Sequence, residues 1–146
     1  MEYSRIPLPS QVANNLRNYV YNVIACIHNV HNDLGAGFPE YIYQESLAIE
    51  LVKAGFIIQK EYEHHPVYNG QTLRSNIRMD IVIFQPNGNI IIECKAITAI
   101  TVKERYQTYG YLRGTEFPIA ILVNFGTYPH AQIEKYYYSN KTIKAF

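Results

Sequence analysis

Between Gln11 and Leu34 the apolar residues Leu16, Val20, Val23, Ile27, Val30 and Leu34 recur at spacings of three or four, which gathers them on one face of a helix. Gly35 and Gly37 end that helix. Pro39 suits the first position of a second one, which runs to Ala54 with Gly55 as its C-terminal stop. Beyond Gly55 the period changes. Phe56-Ile57-Ile58 opens a strand, and Val67-Tyr68 followed by Asn69-Gly70 reads as a hairpin turn. Met79 to Phe84 and Asn89 to Lys95 read as an antiparallel pair joined across Pro86-Asn87-Gly88, and the run Ile90-Ile91-Ile92 marks a strand covered on both faces. Thr101-Val102-Lys103-Glu104 matches a capping box, so a third helix is expected from there to Arg113, ahead of Gly114. Ile119 to Val123 is a further buried strand, and the tail carrying Tyr136-Tyr137-Tyr138 fits strand or helix equally. The order is α-α-β-β-β-β-α-β, without repeats or linkers, which predicts one domain over residues 1–146.

Composition adds bounds. A chain of 146 residues with 48% hydrophobic and 17% charged residues can bury a proper core. Lys+Arg 13 against Asp+Glu 12 leaves a formal charge of +1, which neither announces nor excludes a nucleic-acid partner. No run approaches the roughly 18 apolar residues of a membrane helix, and Met1-Glu2-Tyr3-Ser4-Arg5 lacks the apolar core of a signal peptide. Cys26 and Cys94 are far apart and form no CxxC pair, which argues against a disulfide framework or a structural zinc site. A soluble, cytoplasmic protein with no membrane partner is expected.

Chemistry concentrates on the predicted hairpin. With its loop centred on Asn87-Gly88, Asp80 faces Lys95 and Val82 faces Glu93, and opposed residues share a side of the sheet. Glu93 and Lys95 are two apart and share that side too. Asp80, Glu93 and Lys95 therefore converge, although a slip of one residue would divide them. Two carboxylates without His or Cys side chains nearby suit a hard cation, Mg²⁺ or Mn²⁺. A lysine beside it can orient water or offset developing charge. The plainer alternative is an ion pair at the solvent end of a strand.

The order of motifs points further. Gly37-Phe38-Pro39-Glu40-Tyr41-Ile42-Tyr43 reads G-x-x-E-x-x-Y, and Glu45 to Leu51 continues as an ALxxEL-like helix. Pro66-Val67-Tyr68-Asn69-Gly70, Arg78-Met79-Asp80, Glu93-Cys94-Lys95, Gln107 to Leu112 and Leu122 to Gly126 follow in sequence. From about Val20 to Gly126 the chain resembles the GxxExxY family, a branch of the PD-(D/E)xK nuclease-like superfamily. The resemblance implies an α/β fold, a mixed central β-sheet flanked by helices with a restriction-endonuclease-like core. It implies Mg²⁺-dependent (or Mn²⁺-dependent) hydrolysis of a phosphodiester bond in DNA or RNA. It assigns Asp80, Glu93, the carbonyl of Cys94 and Glu40 to the metal, Lys95 to the attacking water, and Gln107 to a polar position aimed at the site. Tyr43 then braces Glu40. Met79 stands where the superfamily's motif has proline, which leaves the carboxylate intact.

Other residues carry plainer readings. Gly37 fits a positive φ at the helix junction, with room for a substrate backbone as the alternative. His28 and His31 are placed on a solvated helix face, and His64-His65 points to opposite faces of a strand. Arg74, Arg78, Lys103, Arg105 and Arg113 are candidates to grip phosphates, with solubilising charge as the alternative. Among the 14 tyrosines, Tyr106, Tyr109 and Tyr111 are expected mainly in the core, with base stacking as the minority role. Tyr-rich surfaces also make a homodimer a candidate state. Two rivals to a nuclease remain: a catalytically silent nucleic-acid-binding module and a protein-interaction domain on the same fold.

Overall fold

The computed structural model describes residues 14–146, with side chains from Leu16 onward. The leader reading of Met1–Arg5 and the expected first helical turn at Gln11–Ala13 lie outside the described residues. Helix α1 spans Asn14–Leu34 and α2 spans Glu40–Lys53. Gly37 takes a φ of 119° in the turn between them, a backbone geometry that disfavours a side chain. The hydroxyl of Tyr43 accepts from the Phe38 amide and donates to the Gly35 carbonyl, so it braces that turn and acts on Glu40 only through it.

Strands β1 (Ile57–His64), β4 (Ile77–Phe84) and β5 (Ile90–Lys95) follow, with a small hairpin of β2 (Val67–Tyr68) and β3 (Gln71–Thr72) between the first two. Helix α3 (Val102–Thr115) then crosses to β6 (Ile119–Asn124), and β7 (Gln132–Ser139) and β8 (Thr142–Ala145) complete the chain. The main sheet has six strands in the order β1-β4-β5-β6-β7-β8. Its one parallel pair, β5 with β6, is the one joined by a helical crossover. The tyrosine-rich tail is therefore strand. The third helix does not stop at Arg113: Gly114 continues it, pressed against Ile77, and Glu116 caps it in the left-handed conformation.

Two apolar layers sandwich the sheet. On one face α1 and α2 bury Val23, Ile27, Tyr43, Leu47 and Leu51 against Ile81, Ile83, Ile90, Ile92 and Ile121. On the other, α3 buries Tyr111 and Leu112 against Val82, Ile91, Ala120 and Leu122. The three consecutive isoleucines of β5 thus alternate between layers, each fully buried. His31 corrects the expectation of a solvated face. It is 3% exposed, its Nε2 lies 2.8 Å from the Thr127 carbonyl, and its ring stacks on Phe125.

Alternation fails at one place. In β4, Ile81 and Ile83 face the α1–α2 layer, yet Ile77 and Met79, of the same parity, face α3. In β1, Ile58 and Tyr62 are likewise divided between the layers. The pairing of the two strands skips the step between Lys60–Ile81 and Tyr62–Met79, where Glu61 stands across from Asp80. Glu61 has a φ of 51°, left-handed and inside a strand. A side chain there costs about 1 kcal/mol, and the kink takes Asp80 out of the regular up-and-down order. In urea unfolding, Glu61→Gly should therefore match or exceed the wild type in unfolding free energy, and Glu61→Val should fall about 1 kcal/mol or more below it. Equal unfolding free energies for the two variants would mean the left-handed backbone is not held.

Candidate active site at the end of the central hairpin

The ladder between β4 and β5 pairs Ile83 with Ile90, Val82 with Ile91 and Ile81 with Ile92. One further step sets Asp80 opposite Glu93, not opposite Lys95 as expected. The turn is centred on Pro86-Asn87, closed by the Gly88 amide on the Gln85 carbonyl at 3.2 Å, and this shifts the register by two. An even shift keeps Glu93 and Lys95 on their side of the sheet.

Beyond Ile81–Ile92, carboxylates take over from backbone carbonyls. The Asp80 amide donates to Glu93 Oε1 at 2.9 Å, and the Cys94 amide donates to Asp80 Oδ2 at 2.9 Å. Each carboxylate is fixed by the other residue's strand. Because the N–H and C=O of one strand residue point the same way, the Cys94 carbonyl also faces the Asp80 side. Lys95 Nζ lies 3.8 Å from Glu93 Oε2 and donates to Gln107 Oε1 at 2.9 Å, so α3 holds the lysine's tip. The lysine's base is held as well. Its carbonyl accepts from Phe125, and the next turn is clasped by Asn124, which accepts from the Ile97 amide and donates to the Ile97 carbonyl, both at 2.9 Å.

Glu40, first residue of α2, approaches around the end of the sheet, and its charge is felt at Glu93. Glu40 is exposed, but partial desolvation against its neighbours raises its carboxyl, Asp80 raises it further, and Lys95 opposes both. Asp80 is also raised, chiefly by burial, against the Cys94 amide and Lys95. Glu93 is pushed up to about 8 by burial and then by the neighbouring Asp80. The Cys94 thiol is held well up by burial and by Asp80, so only its carbonyl is a useful donor. Among the described residues, no three His, Cys, Asp or Glu side chains are gathered closely enough to enclose a metal ion. Asp80 and Glu93 form the tight pair, and Glu40 stands off from it.

Two neighbours escaped the sequence reading. Gln44 donates to the Asp80 carbonyl at 3.3 Å, one helical turn after Glu40, a spacing legible in the sequence. Glu61 faces Asp80 from β1 and adds to the raising of its carboxyl; nothing local marked its backbone. The candidate phosphate grips separate. Arg105 is engaged by both oxygens of Glu134, and Arg78 by Glu63 and Glu61. Tyr111 is buried and Tyr109 packs edge-on against Tyr136, which leaves Tyr106 exposed. His65 turns to the Leu73 and Ser75 carbonyls, away from any chelate with His64.

A mixed sheet between helical layers, with acidic residues meeting where two central strands end and a lysine two positions on, defines a nuclease-like α/β class. The chain matches the PD-(D/E)XK nuclease superfamily over residues 17–136 and belongs to it. No curated protein matches the chain. Among solved structures, the crystal structure of SSO0001 is similar at 24% identity and a TM-score of 0.48, over 66% of this chain and 48% of that one, about half its length. No helix among the described residues is long and apolar enough to cross a membrane.

The raised Glu93 carboxyl has a measurable consequence. From its ordinary 4.5 up to about 8, the folded chain holds a proton the unfolded chain has released. This contribution to stability is full below the lower value and is lost as pH rises through the upper one. With divalent cations chelated, the melting temperature should fall between these limits more steeply for the wild type than for Glu93→Gln. Parallel curves would place the proton elsewhere.

Proposed function

We propose that this chain is a divalent-cation-dependent nuclease of the GxxExxY branch, hydrolysing phosphodiester bonds in DNA or RNA. One observation carries the reading. Asp80 and Glu93 are held in a largely desolvated corner against the amine of Lys95, with Glu40 exposed at its rim. Such a concentration of carboxylates is costly without a compensating cation.

Mg²⁺ or Mn²⁺ fits the donor set. Asp80, Glu93 and the Cys94 carbonyl would supply hard oxygens, with Glu40 adding another. Mg²⁺ is usually held by one or two carboxylates plus waters and substrate phosphates, not by a closed protein cage. That agrees with a tight pair of carboxylates and a third standing off. When bound, the ion would lower the pKa of a water and offset charge on the phosphate. Lys95 sets an ammonium beside Glu93, where it orients the attacking water or offsets charge developing on the phosphate. Gln107 positions Lys95, and Tyr43 holds the turn that delivers Glu40. A cytoplasmic setting suits the two free cysteines, Cys26 and Cys94. A silent nucleic-acid-binding module would have little use for Lys95 clasped at both ends.

A second reading, protein docking, draws on a different surface. Ile49, Val52 and Ile57 are 63%, 58% and 71% exposed along α2 and the edge of β1. A homodimer would use this face, and sedimentation across a range of concentrations measures it.

For the nuclease reading, Mn²⁺ titrated by calorimetry should give binding heat with the wild type and none with Asp80→Ala/Glu93→Ala. Lys95→Ala should keep that heat and lose roughly 10²–10³-fold in cleavage of single-stranded, duplex, branched or RNA substrates. Identical, negligible heats for wild type and double variant would remove the metal site. Cleavage by Lys95→Ala at the wild-type rate would remove the lysine's role.

A further inference from the structure

Helix α3 carries a glycine that the fold does not explain. Gly110 lies in the middle of the helix, where glycine is disfavoured relative to alanine. It is solvent-exposed, and a Cβ built there meets no atom within 4 Å. Gly114, one turn later, differs: its missing Cβ makes room for Ile77. The space at Gly110 opens to the outside.

Its neighbours give that space a character. Lys103, Tyr106, Gln107, Gly110 and Arg113 all lie exposed, and spacings of three and four place them along one ridge. Among the described residues neither Lys103 nor Arg113 makes an ion pair, whereas Arg105, off the ridge, is held by Glu134. Ten residues of helix separate the two free cations by about 15 Å, far enough apart to take different phosphates of one strand. Tyr106 is 68% exposed, and its ring rests on Tyr109, itself seated on Tyr136, so the platform is propped from behind. Gln107, in the middle of the ridge, is the residue that holds Lys95. The ridge therefore leads directly into the site.

The geometry points to the exposed ridge of α3 as the track for a single nucleic-acid strand entering the site. Lys103 and Arg113 take phosphates at its two ends, an unpaired base lies on Tyr106, and Gly110 lets the backbone pass close to the helix. This rests on the nuclease reading and names the form of substrate that reading would take. A duplex has no free base face to offer Tyr106.

Fluorescence anisotropy with a labelled oligothymidylate strand, all divalent cations chelated, tests the track without requiring cleavage. Gly110→Ala should melt about 2–4 °C higher, as an exposed helical glycine replaced by alanine does, and yet bind the strand several-fold more weakly. Tyr106→Ala should weaken binding about tenfold, with Tyr106→Phe restoring it. Lys103→Ala/Arg113→Ala should flatten the dependence of log K on log salt by about 1.4, the value for two contacts to a single strand. Three results would overturn the track: Gly110→Ala stabilised with unchanged affinity, an unaltered salt slope, or preference for the matched duplex. Strand binding with these signatures alongside no cleavage in Mg²⁺ or Mn²⁺ would count against the nuclease reading alone.

Discussion

The exchange of two carboxylates for backbone carbonyls at the end of the β4–β5 ladder is the constraint on which the site depends. Regular pairing stops at Ile81 and Ile92, and the next amides, those of Asp80 and Cys94, find Glu93 and Asp80 side chains in place of main-chain oxygens. The strands can separate there without leaving donors unsatisfied, since carboxylates are strong acceptors. The same bonds fix both acidic side chains without using the salt bridges that would neutralise them. The two carboxyls are thereby held in a largely buried corner, and that burial, with Asp80 beside Glu93 as the second cause at the latter, is what raises them.

Around that point the rest of the fold acts as a set of clamps. Glu61 bends β1 and turns Asp80 away from strict alternation. Gln44 holds the Asp80 carbonyl, and Gln107 holds the lysine. Three of these contacts come from different elements on both sides of the sheet. With helices on both faces of the sheet, α2 and α3 reach the same strand end from opposite sides.

Much of this was legible in the amino-acid order, and the exceptions have identifiable causes. Helical periods, the Asn69-Gly70 turn and the Thr101–Glu104 capping box mark elements through strong local chemistry, and all of them form. The observed register differs by two from the expected one because Pro86-Asn87 and Asn87-Gly88 are both good turn centres, and the side chains still converge because the offset is even. The phase break could not be read, since a left-handed glutamate carries no composition signal. His31 suggests solvent by its polarity, yet it lies four residues after Ile27 on the apolar face, and its hydrogen bond to a carbonyl of a distant loop makes burial tolerable. The run Tyr136-Tyr137-Tyr138 has no period of either kind, and only its pairing with β6 decides it.

The clasp of Asn124 on the Ile97 turn bears on how the molecule comes into being. The residues proposed for the chemistry all lie before Thr108, yet the anchor that sets the lysine's backbone belongs to β6, and β6 is held in turn by β7. A nascent chain emerging from the ribosome would carry every acidic group and the amine well before it could arrange them. Assembly of the corner therefore waits until β6 and β7 have been made.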